Sequence, residues 1–499
     1  MGCTSFDRGG ALLRRGARAQ EENGLQEKRK DLDVFLNPRS VAIIGATERP
    51  GSWGSFIMEG ILSRPFRGKI YPVNRRAEKV YGIPSYGDVR EIPGRVDLVV
   101  VVTPEQSVKD AVRASGEKRA RGVVIITAGF GEVSSSGSEK QDELSEIARS
   151  FNMNILGPNV SGVFNLEADF NPSGSPVNHL ISTPLAAVCQ GGYAFYDLLA
   201  SGFYRGMGVG KFIHTGNECD LTANDFLEYF GEQPDVKGIL MYMETFRNGS
   251  NFLEIARKVA KDKPIVLYKG GKTNNSARAA SSHTGALSGI RGVHEGVLKQ
   301  IGIVNAPTME LLLPLGHAVV ERPPMKGRRV AIVTMGGSWG VALSDSLEAL
   351  GLIVPEFGTG LQKRLRGLGM PARASTKNPI DIGASGLFWD ADRMVEIGRE
   401  VIFSGEADGL ILHGVGRPGR IGQSPPPERE SFLDAQKQTI LGFAALEEAA
   451  KIPVLIGTRY SPWQSQAIHE VTGQGVRTYT RVEEIAQVLS SLYRYWQRH

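Results

Sequence analysis

The feature that most constrains the fold is a repeated pattern in which an apolar strand runs into a glycine-rich turn. The pattern occurs three times, at residues 41–45, 185–192 and 330–337. Polar or proline-rich stretches precede the second and third copies, at residues 171–176 and 322–327. Apolar runs bounded by such turns and followed by helical segments are typical of parallel sheets covered by helices. The sequence therefore predicts three successive α/β domains of the nucleotide-binding type.

The composition argues against several classes of protein. The chain has 499 residues, of which 41% are hydrophobic, enough to build the cores of about three domains. The net charge of +5 is small for this length, and Lys and Arg are spread along the chain, which argues against a nucleic-acid partner. No apolar run approaches the ~20 residues of a membrane-spanning helix. The cysteines, Cys3, Cys189 and Cys219, match no zinc or disulfide spacing, so we expect no metal site and a reducing, cytoplasmic location.

Residues 1–32 are predicted to be a disordered leader. This stretch is rich in arginine and lysine but lacks the continuous apolar segment of a signal peptide. Its acidic residues, Asp7, Glu21 and Glu22, argue against a transit peptide. We therefore leave this stretch out of the fold prediction.

The strongest candidate for catalysis is His283, in the segment Ser281–Gly289. Hydroxyls, small residues and glycines flank this imidazole, which leaves space around the ring and lets backbone N–H groups approach an anion. Such a histidine suits a group that accepts a phosphoryl and passes it on. The alternative is a loop histidine that only hydrogen-bonds to the backbone.

A carboxylate is predicted to lie beside this histidine. Residues 238–243 are predicted to form a buried strand that ends at Glu244, residues 252–261 a helix, and residues 264–268 a second strand. A strand–helix–strand unit places both strands in one parallel sheet, and ligands bind beyond the carboxyl ends of such strands. There a carboxylate can fix the tautomer of an imidazole through one ring nitrogen. Alternatively, Glu244 is a solvated residue at a strand end.

An anion site is predicted at the same edge. Gln190, Gly191 and Gly192 form a tight turn after the strand at 185–189, and residues 193–200 are predicted to form a helix. The N–H groups at a helix start, together with the helix dipole, attract phosphate. Most Gly-Gly turns only connect two elements, so this prediction depends on the combination of the turn with the histidine and the carboxylate.

In the first domain, the residues after the strands predict a cofactor groove. The opening turn, residues 45–54, is rich in glycine but lacks the GxGxxG spacing. Arg75 and Arg76 follow the second strand, where an NAD site needs an acid. They favour a phosphorylated ribose, that of NADP or the 3′-phosphate of coenzyme A, or they form only a solvated turn. Thr103-Pro104 and Ala128-Gly129 follow the next two strands and are expected to wall a groove for an extended thiol cofactor.

The third domain shows strands but no obvious nucleophile. Strands are predicted near residues 330–333, 352–354, 379–382, 409–412, 454–456 and 476–479. Asp381, at the carboxyl edge of these strands, is as consistent with a structural role as with a functional one.

Together these residues resemble the alpha subunit of the NDP-forming acyl-CoA synthetases, a family that includes ADP-forming acetate–CoA ligase and is related to succinyl-CoA synthetase. The most specific segments are 41–54, Pro72–Asn74, Gly157–Asn159, Glu244, Ser281–Gly289 and Asn378–Asp381. The resemblance implies an α/β fold with a CoA-binding Rossmann-like domain at 33–166. It implies a ligase-CoA domain with the phosphohistidine loop at 167–322, and a second flavodoxin-like ligase domain at 328–499.

The resemblance also implies a reaction and its residues. Members of the family convert acyl-CoA, ADP and phosphate reversibly into a carboxylic acid, ATP and CoA, through an acyl phosphate and a phosphohistidine. By this resemblance His283 carries the phosphoryl and Glu244 supports its imidazole. Phosphate is expected to bind at Gln190, Gly191 and Gly192. CoA is expected to contact Gly45, Thr47, Gly51, Ser52, Asn74, Arg76, Thr103, Pro104, Ala128 and Gly129.

The nucleotide of this family sits on an ATP-grasp module, and we find no region of the sequence able to hold that fold. The resemblance therefore implies a separate ATP-grasp beta subunit, which brings ATP or ADP with Mg²⁺, in a hetero-oligomer. Without that subunit we expect the chain to bind CoA but not to make ATP.

The sequence departs from the family pattern at the phosphate turn. The usual Ser-Gln-Ser-Gly is here Cys189-Gln190-Gly191-Gly192, which removes two hydroxyls. We therefore expect phosphate binding to depend on backbone N–H groups and Gln190. Tyr193, where a small residue is usual, is expected to narrow or reshape the acyl pocket. Arg76 is expected to replace a lysine at a phosphate of CoA.

These departures motivate two alternative functions. One is a CoA-binding regulatory or sensor subunit with weak or lost catalysis, although the presence of both His283 and Glu244 argues against it. The other is an NADP-dependent oxidoreductase, suggested by Arg75 and Arg76. The opening turn lacks the dinucleotide spacing and no pair of residues suited to hydride transfer is evident, so this function is disfavoured.

Overall fold

The chain folds into three mostly parallel sheets covered by helices. The computed structural model describes residues 31–175, 177–271, 300–383, 385–417 and 427–498, with positions 273, 275, 276, 296 and 298, and gives only the backbone of 427–431. The predicted leader, apart from its last two residues, and His283 lie outside the described residues. The α/β fold class expected from the sequence is confirmed.

The first sheet has five parallel strands in the order β2-β1-β5-β6-β7. Its strands and a small hairpin are β1 (Ser40–Ile44), β2 (Lys69–Val73), β3 (Lys79–Val80), β4 (Ile83–Pro84), β5 (Leu98–Val101), β6 (Gly122–Ile125) and β7 (Asn154–Leu156). Its helices are α1 (Trp53–Leu62), α2 (Val108–Glu117) and α3 (Ser135–Ser150). Because the strand order reverses beside β1, the crevice beyond the carboxyl ends of β1 and β5 is where such a sheet binds ligands.

The second sheet has six strands in the order β13-β12-β11-β9-β10-β8, and all pairs are parallel except that of β10 with β8. The strands are β8 (Val163–Asn165), β9 (Leu185–Cys189), β10 (Lys211–His214), β11 (Gly238–Met243), β12 (Ile265–Lys269) and β13 (Val304–Asn305). The helices are α4 (Gly192–Phe203), α5 (Ala223–Glu232), α6 (Gly249–Val259) and α7 (Leu312–Glu321). The strands predicted at residues 185–189, 238–243 and 264–268 are confirmed as β9, β11 and β12. They could be predicted because buried parallel strands form continuous apolar runs.

The third sheet is parallel, in the order β15-β14-β16-β17-β18. The strands are β14 (Val330–Thr334), β15 (Ile380–Asp381), β16 (Gly409–His413), β17 (Val454–Gly457) and β18 (Thr478–Tyr479). The helices are α8 (Gly337–Ala349), α9 (Thr359–Gly367), α10 (Ala391–Ile402), α11 (Pro427–Ala450), α12 (Gln466–Gly473) and α13 (Val482–Trp496). Short 3₁₀ turns occur at Asp33–Phe35, Val89–Glu91, Glu105–Ser107, Met309–Leu311 and Gly386–Trp389.

The strand predicted at residues 352–354 is wrong. Ile353 forms only an isolated bridge to Arg329, at the amino end of β14. Pro355 follows, which has no N–H to continue a ladder. The carboxyl end of β14 pairs instead with Ile380 and Asp381 of β15.

Shared cores hold the three sheets together. One apolar cluster contains Val100 of the first sheet and Met241 of the second, and another contains Phe212 of the second and Ile332 of the third. The carboxyl edges of the first two sheets are thereby held next to each other. In the described part of the chain, no helix is long and apolar enough to cross a membrane.

Candidate active site

A cavity of about 1080 Å³ lies where the carboxyl edges of the first and second sheets meet. The first sheet contributes residues 102–104, 126–128 and 159–161, and Trp53 of α1 adds an aromatic ring. From the second sheet come residues 190–194, His214, Tyr242, Glu244 and Tyr268. This volume is slightly larger than the usual range of ligand pockets, roughly 300–1,000 Å³, so the cavity suits an extended cofactor or substrate.

The start of α4 opens into this cavity without a cap from its own N-cap residue. The helix begins at Gly192 after the extended residue Gly191, which makes no side-chain cap, and the N–H of Gly192 faces Nε2 of His214 over 3.1 Å. Gly191, Gly192, Tyr193 and Ala194 all line the cavity. The first N–H groups of a helix have no partner within the helix, so an uncapped start that faces a cavity is suited to bind an anion.

The side chain of Gln190 joins the phosphate turn to the end of β11. Its Oε1 accepts from the backbone N–H groups of Glu244 and Thr245, over 2.8 and 2.9 Å. Its Nε2 donates to Oγ1 of Thr245 over 3.3 Å. The residue lines the cavity but is only 3% exposed, so its carboxamide braces two strands. The backbone of the turn is left as the anion-binding part.

Glu244 follows β11 directly, and it lines the cavity although it is only 6% exposed. The hydroxyl of Tyr242 donates to its Oε1 over 3.0 Å. Burial, followed by the charge of Glu244, raises the pKa of Tyr242, so this phenol keeps its proton and remains a donor. Lys269, which is also buried, donates to the backbone oxygens of Glu244 and Gly270. Tyr242 therefore holds the carboxylate at the cavity wall, and Lys269 of β12 holds the backbone of the same residue.

His283 itself is not described, but the residues that lead toward it are. Gly270, Gly271 and Ser276 line the cavity. The N–H of Gly270 donates to the carbonyl of Met243 over 2.8 Å, which ties the end of β12 to the end of β11. The chain between β12 and His283 therefore begins, at Gly270 and Gly271, at the cavity wall beside Glu244.

The residues predicted to bind CoA divide into two groups. Thr103, Pro104 and Ala128 line the cavity, while Gly129 donates to Oε1 of Glu132 over 2.5 Å.

The remaining predicted CoA residues lie around the ends of β1 and β2 and are not part of the cavity lining; they are Gly45, Thr47, Gly51, Ser52, Asn74 and Arg76. Asn74 donates from Nδ2 to the carbonyl of Ala46 over 2.8 Å and accepts from the N–H of Arg76 over 2.8 Å. Ser52 caps α1 by accepting from the N–H of Ser55. These turns surround the crevice beside β1.

Sequence reasoning missed several side chains of the cavity, among them Trp53, His214 and Tyr242. Tyr242 is two residues before Glu244, and alternate residues of a strand point to the same face, so the spacing was a usable signal. His214 ends β10 just before the turn Thr215-Gly216, at the same edge of the sheet as the other candidates. Nothing in the sequence around Trp53 distinguishes it from a core residue.

Two family models match the chain. The CoA binding domain matches residues 39–165, and the succinyl-CoA ligase like flavodoxin domain matches residues 182–319. The alpha subunit of acetate–CoA ligase [ADP-forming] II from Pyrococcus furiosus is 35% identical over 461 residues, which cover 92% of this chain and 97% of that subunit. The chain belongs to the family of ADP-forming acetate–CoA ligase alpha subunits.

Other members of this acetate–CoA ligase family extend the comparison. The acetate–CoA ligase [ADP-forming] of Methanocaldococcus jannaschii is 34% identical over 352 residues, 70% of this chain and 49% of that protein. Among solved structures, acetyl-coenzyme A synthetase 1 of Ca. Korarchaeum cryptofilum, in complex with phosphate and ADP, is 28% identical. It has a TM-score of 0.79 and covers 94% of this chain and 97% of its own. Membership of a ligase family favours the ligase interpretation over a CoA sensor or an oxidoreductase.

Proposed function

We propose that this chain is the catalytic alpha subunit of an NDP-forming acyl-CoA synthetase. The enzyme interconverts acyl-CoA, ADP and phosphate with a carboxylic acid, ATP and CoA. One observation carries the proposal: the uncapped start of α4 and the carboxylate of Glu244 open into the same cavity, which also borders the CoA-binding domain. An anion site, a carboxylate and a thioester groove are the parts that this chemistry needs in one place.

In the first step, an oxygen of phosphate attacks the carbonyl carbon of the thioester. The C–S bond breaks, the thiolate of CoA leaves and takes up a proton, and an acyl phosphate remains. The N–H of Gly191 and the N–H groups of the first turn of α4 beyond Gly192 hold the phosphate, because helix-start donors stabilise the charge that this group carries. The thiol arm of CoA lies along Thr103, Pro104 and Ala128.

In the second step, a ring nitrogen of His283 attacks the phosphorus of the acyl phosphate. The bond between phosphorus and the acyl oxygen breaks, and the carboxylate leaves. Glu244 accepts a hydrogen bond from the other ring nitrogen, which fixes the tautomer and stabilises the positive charge on the imidazole. The phosphoryl group then passes to ADP, which gives ATP and restores the histidine.

We infer that the nucleotide binds to a separate ATP-grasp beta subunit in a hetero-oligomer. The Pyrococcus relative is named as an alpha subunit, and the Methanocaldococcus relative, a single chain, is about twice as long as the stretch it shares with this one. Among the residues that the structure describes, no group of three or more His, Cys, Asp or Glu is placed to hold a metal ion. We assign Mg²⁺ to the partner because this ion accompanies the phosphates of bound ATP or ADP, and we assign the complex to the cytoplasm because the cysteines match no disulfide spacing.

The test is phosphorylation of the histidine. The chain is purified with its partner subunit and incubated with γ-labelled ATP and Mg²⁺, and we expect a phosphoprotein that is labile in acid and stable in alkali. The label is lost in His283→Ala and kept in His469→Ala, which changes an exposed histidine of α12. Label that persists in His283→Ala excludes this mechanism. If the unmodified complex takes up no label although the chain binds CoA, the chain is a CoA sensor.

A further inference from the structure

A second histidine, His214, supports the phosphate turn from the side of β10. It is the last residue of that strand, it is 7% exposed, and it lines the cavity. Its Nδ1 lies 2.7 Å from the backbone nitrogen of Ser161, and its Nε2 lies 2.7 Å from the carbonyl oxygen of Gln190. The imidazole therefore bridges the loop after β7 and the turn after β9.

These partners determine the tautomer of the imidazole. The backbone N–H of Ser161 can only donate, so Nδ1 accepts and carries no proton. The carbonyl oxygen of Gln190 can only accept, so Nε2 carries the proton and donates it. The ring is neutral in this arrangement, because a proton on Nδ1 would face the N–H of Ser161.

His214 also contacts the start of α4. The backbone nitrogen of Gly192 lies 3.1 Å from Nε2, with its N–H directed at the ring. The N–H groups left for an anion are therefore those of Gly191 and of the next residues in the first turn of α4. The turn packs so closely against the imidazole that position 192 has no space for a side chain. A Cβ there would be 2.1 Å from Oγ of Ser161 and 2.4 Å from Nδ1 of His214. The imidazole thus sets both the position of the turn and the direction of its N–H groups.

No side chain of the turn offers a hydroxyl in place of this support. Cys189 is fully buried in the apolar cluster that contains Phe195 and Phe212, and it does not line the cavity. A Cβ at position 191 would lie 2.7 Å from the ring of Tyr242. The turn therefore binds an anion through its backbone alone, and its affinity depends on how the backbone is held.

We propose that His214 is a positioning residue that holds the carbonyl of Gln190 and so directs the N–H of Gly191 and those of the first turn of α4 beyond Gly192 at phosphate. The inference rests on the proposed function and extends it, since it names the group that replaces the missing hydroxyls. Its ligand is inorganic phosphate, or the phosphoryl group of the acyl phosphate, in contact with the turn. His214 does not itself touch the reacting atoms.

Two variants of His214 separate its two hydrogen bonds. His214→Gln keeps a donor near the position of Nε2, whereas His214→Asn keeps only an acceptor near Nδ1. In the complete complex, assayed by release of CoA from acyl-CoA, we expect the KM for phosphate to rise at least about fivefold in His214→Asn, the effect of losing one hydrogen bond. The KM for acyl-CoA stays within about twofold, and His214→Gln restores most of the phosphate affinity.

His317 provides a matched control. It is also buried, and its Nε2 likewise lies between a backbone nitrogen and a carbonyl, those of Gly208, at 3.1 and 3.0 Å. It does not line the cavity. We expect His317→Asn to lower the melting temperature without changing the KM for phosphate.

The outcomes distinguish this inference from the proposed function. If the unmodified complex makes no phosphohistidine, the proposed function fails. If it does, and His214→Asn binds phosphate as well as the unmodified complex, the inference is overturned. An equal rise in the KM values for phosphate and acyl-CoA would show a general structural role and would also overturn it. Should His214→Asn not fold, a fivefold rise in the phosphate KM of His214→Gln decides against the inference.

Discussion

The hydroxyl of Tyr242 donates to Oε1 of Glu244 over 3.0 Å, between two residues on the same face at the end of one strand. This bond holds the carboxylate that we assign to the phosphohistidine. Tyr242→Phe removes the bond and keeps the ring, which stacks on Tyr268 with centroids 5.6 Å apart. We expect phosphorylation of His283 to slow about fivefold, with an unchanged KM for acyl-CoA, because one hydrogen bond contributes roughly 1 kcal/mol. Rapid-quench measurement of the labelled protein gives the rate.

A second tyrosine serves as the control for this variant. The hydroxyl of Tyr229 donates to a carboxylate oxygen of Asp33, also over 3.0 Å, outside the cavity lining. Tyr229→Phe should leave the phosphorylation rate unchanged. If both variants slow phosphorylation equally, the bond between Tyr242 and Glu244 has no specific part in the reaction.

The family's usual serine cannot simply be restored at position 191. A Cβ there would lie 2.7 Å from Cε1 of Tyr242 and 3.5 Å from Oε1 of Glu244, so Gly191→Ser forces the tyrosine ring to move. Overpacking of this kind costs about 1–3 kcal/mol, and we expect the rate of acyl phosphate formation to fall roughly tenfold. This fall in rate depends on the ring of Tyr242. In a protein that already carries Tyr242→Val, Gly191→Ser should cause little further loss of the rate of acyl phosphate formation. Additive losses in this double-mutant cycle would contradict the steric argument.

Cys189, by contrast, is fully buried and does not line the cavity. Burial raises the pKa of its thiol, and its neighbours are apolar, so the residue acts as a small hydrophobic group. Cys189→Ser places a hydroxyl in this core and should lower the free energy of unfolding by about 1–3 kcal/mol. It should not lower the KM for phosphate. A tighter phosphate site in Cys189→Ser, measured in the CoA-release assay, would show that the side chain does reach the anion.

The strands around the site could be predicted because the bounds of a buried strand follow from the residues of the strand itself. β9 and β11 are short apolar runs, each ended by glycine or polar residues, and the predicted bounds of both agree with the structure. The placement of Glu244 at a strand end, and its convergence with the phosphate turn at one sheet edge, follow from parallel topology alone. The strand predicted around Ile353 failed because apolar character does not show whether a neighbouring strand is free to pair.

The contacts that determine how the site works could not be predicted in the same way. Gln190 bonds to a residue 54 positions away, and Ser161 bonds to His214 across 53 positions. Such contacts depend on the order β11-β9-β10 of the strands, which brings distant segments side by side. For this reason Gln190 was expected only as a phosphate ligand, although its carboxamide braces the backbone of Glu244. The role of His283 remains a prediction, because that residue lies outside the described part of the chain.

His413, at the end of β16, makes the stability of the third domain depend on pH. It is fully buried beside Trp339, and neither ring nitrogen has a hydrogen-bond partner among the described residues. Burial, and to a smaller extent the charge of Arg459, lowers the pKa of His413 from 6.5 to about 4. Between these two values the unfolded chain binds a proton that the folded chain excludes. The free energy of unfolding should therefore be constant above pH 6.5 and fall as the pH drops toward 4.

The free energy of unfolding would fall in total by about 3 kcal/mol. This figure corresponds to the difference between the pKa of His413 in the unfolded chain, 6.5, and in the folded chain, about 4. His413→Leu removes the titrating group and should flatten this part of the curve, while His469→Leu, at an exposed position of α12, should leave it unchanged. Urea unfolding midpoints at pH 7.5, 5.5 and 4.5 give the comparison. An equally steep loss of stability in His413→Leu would mean that other groups dominate the acid sensitivity of this domain.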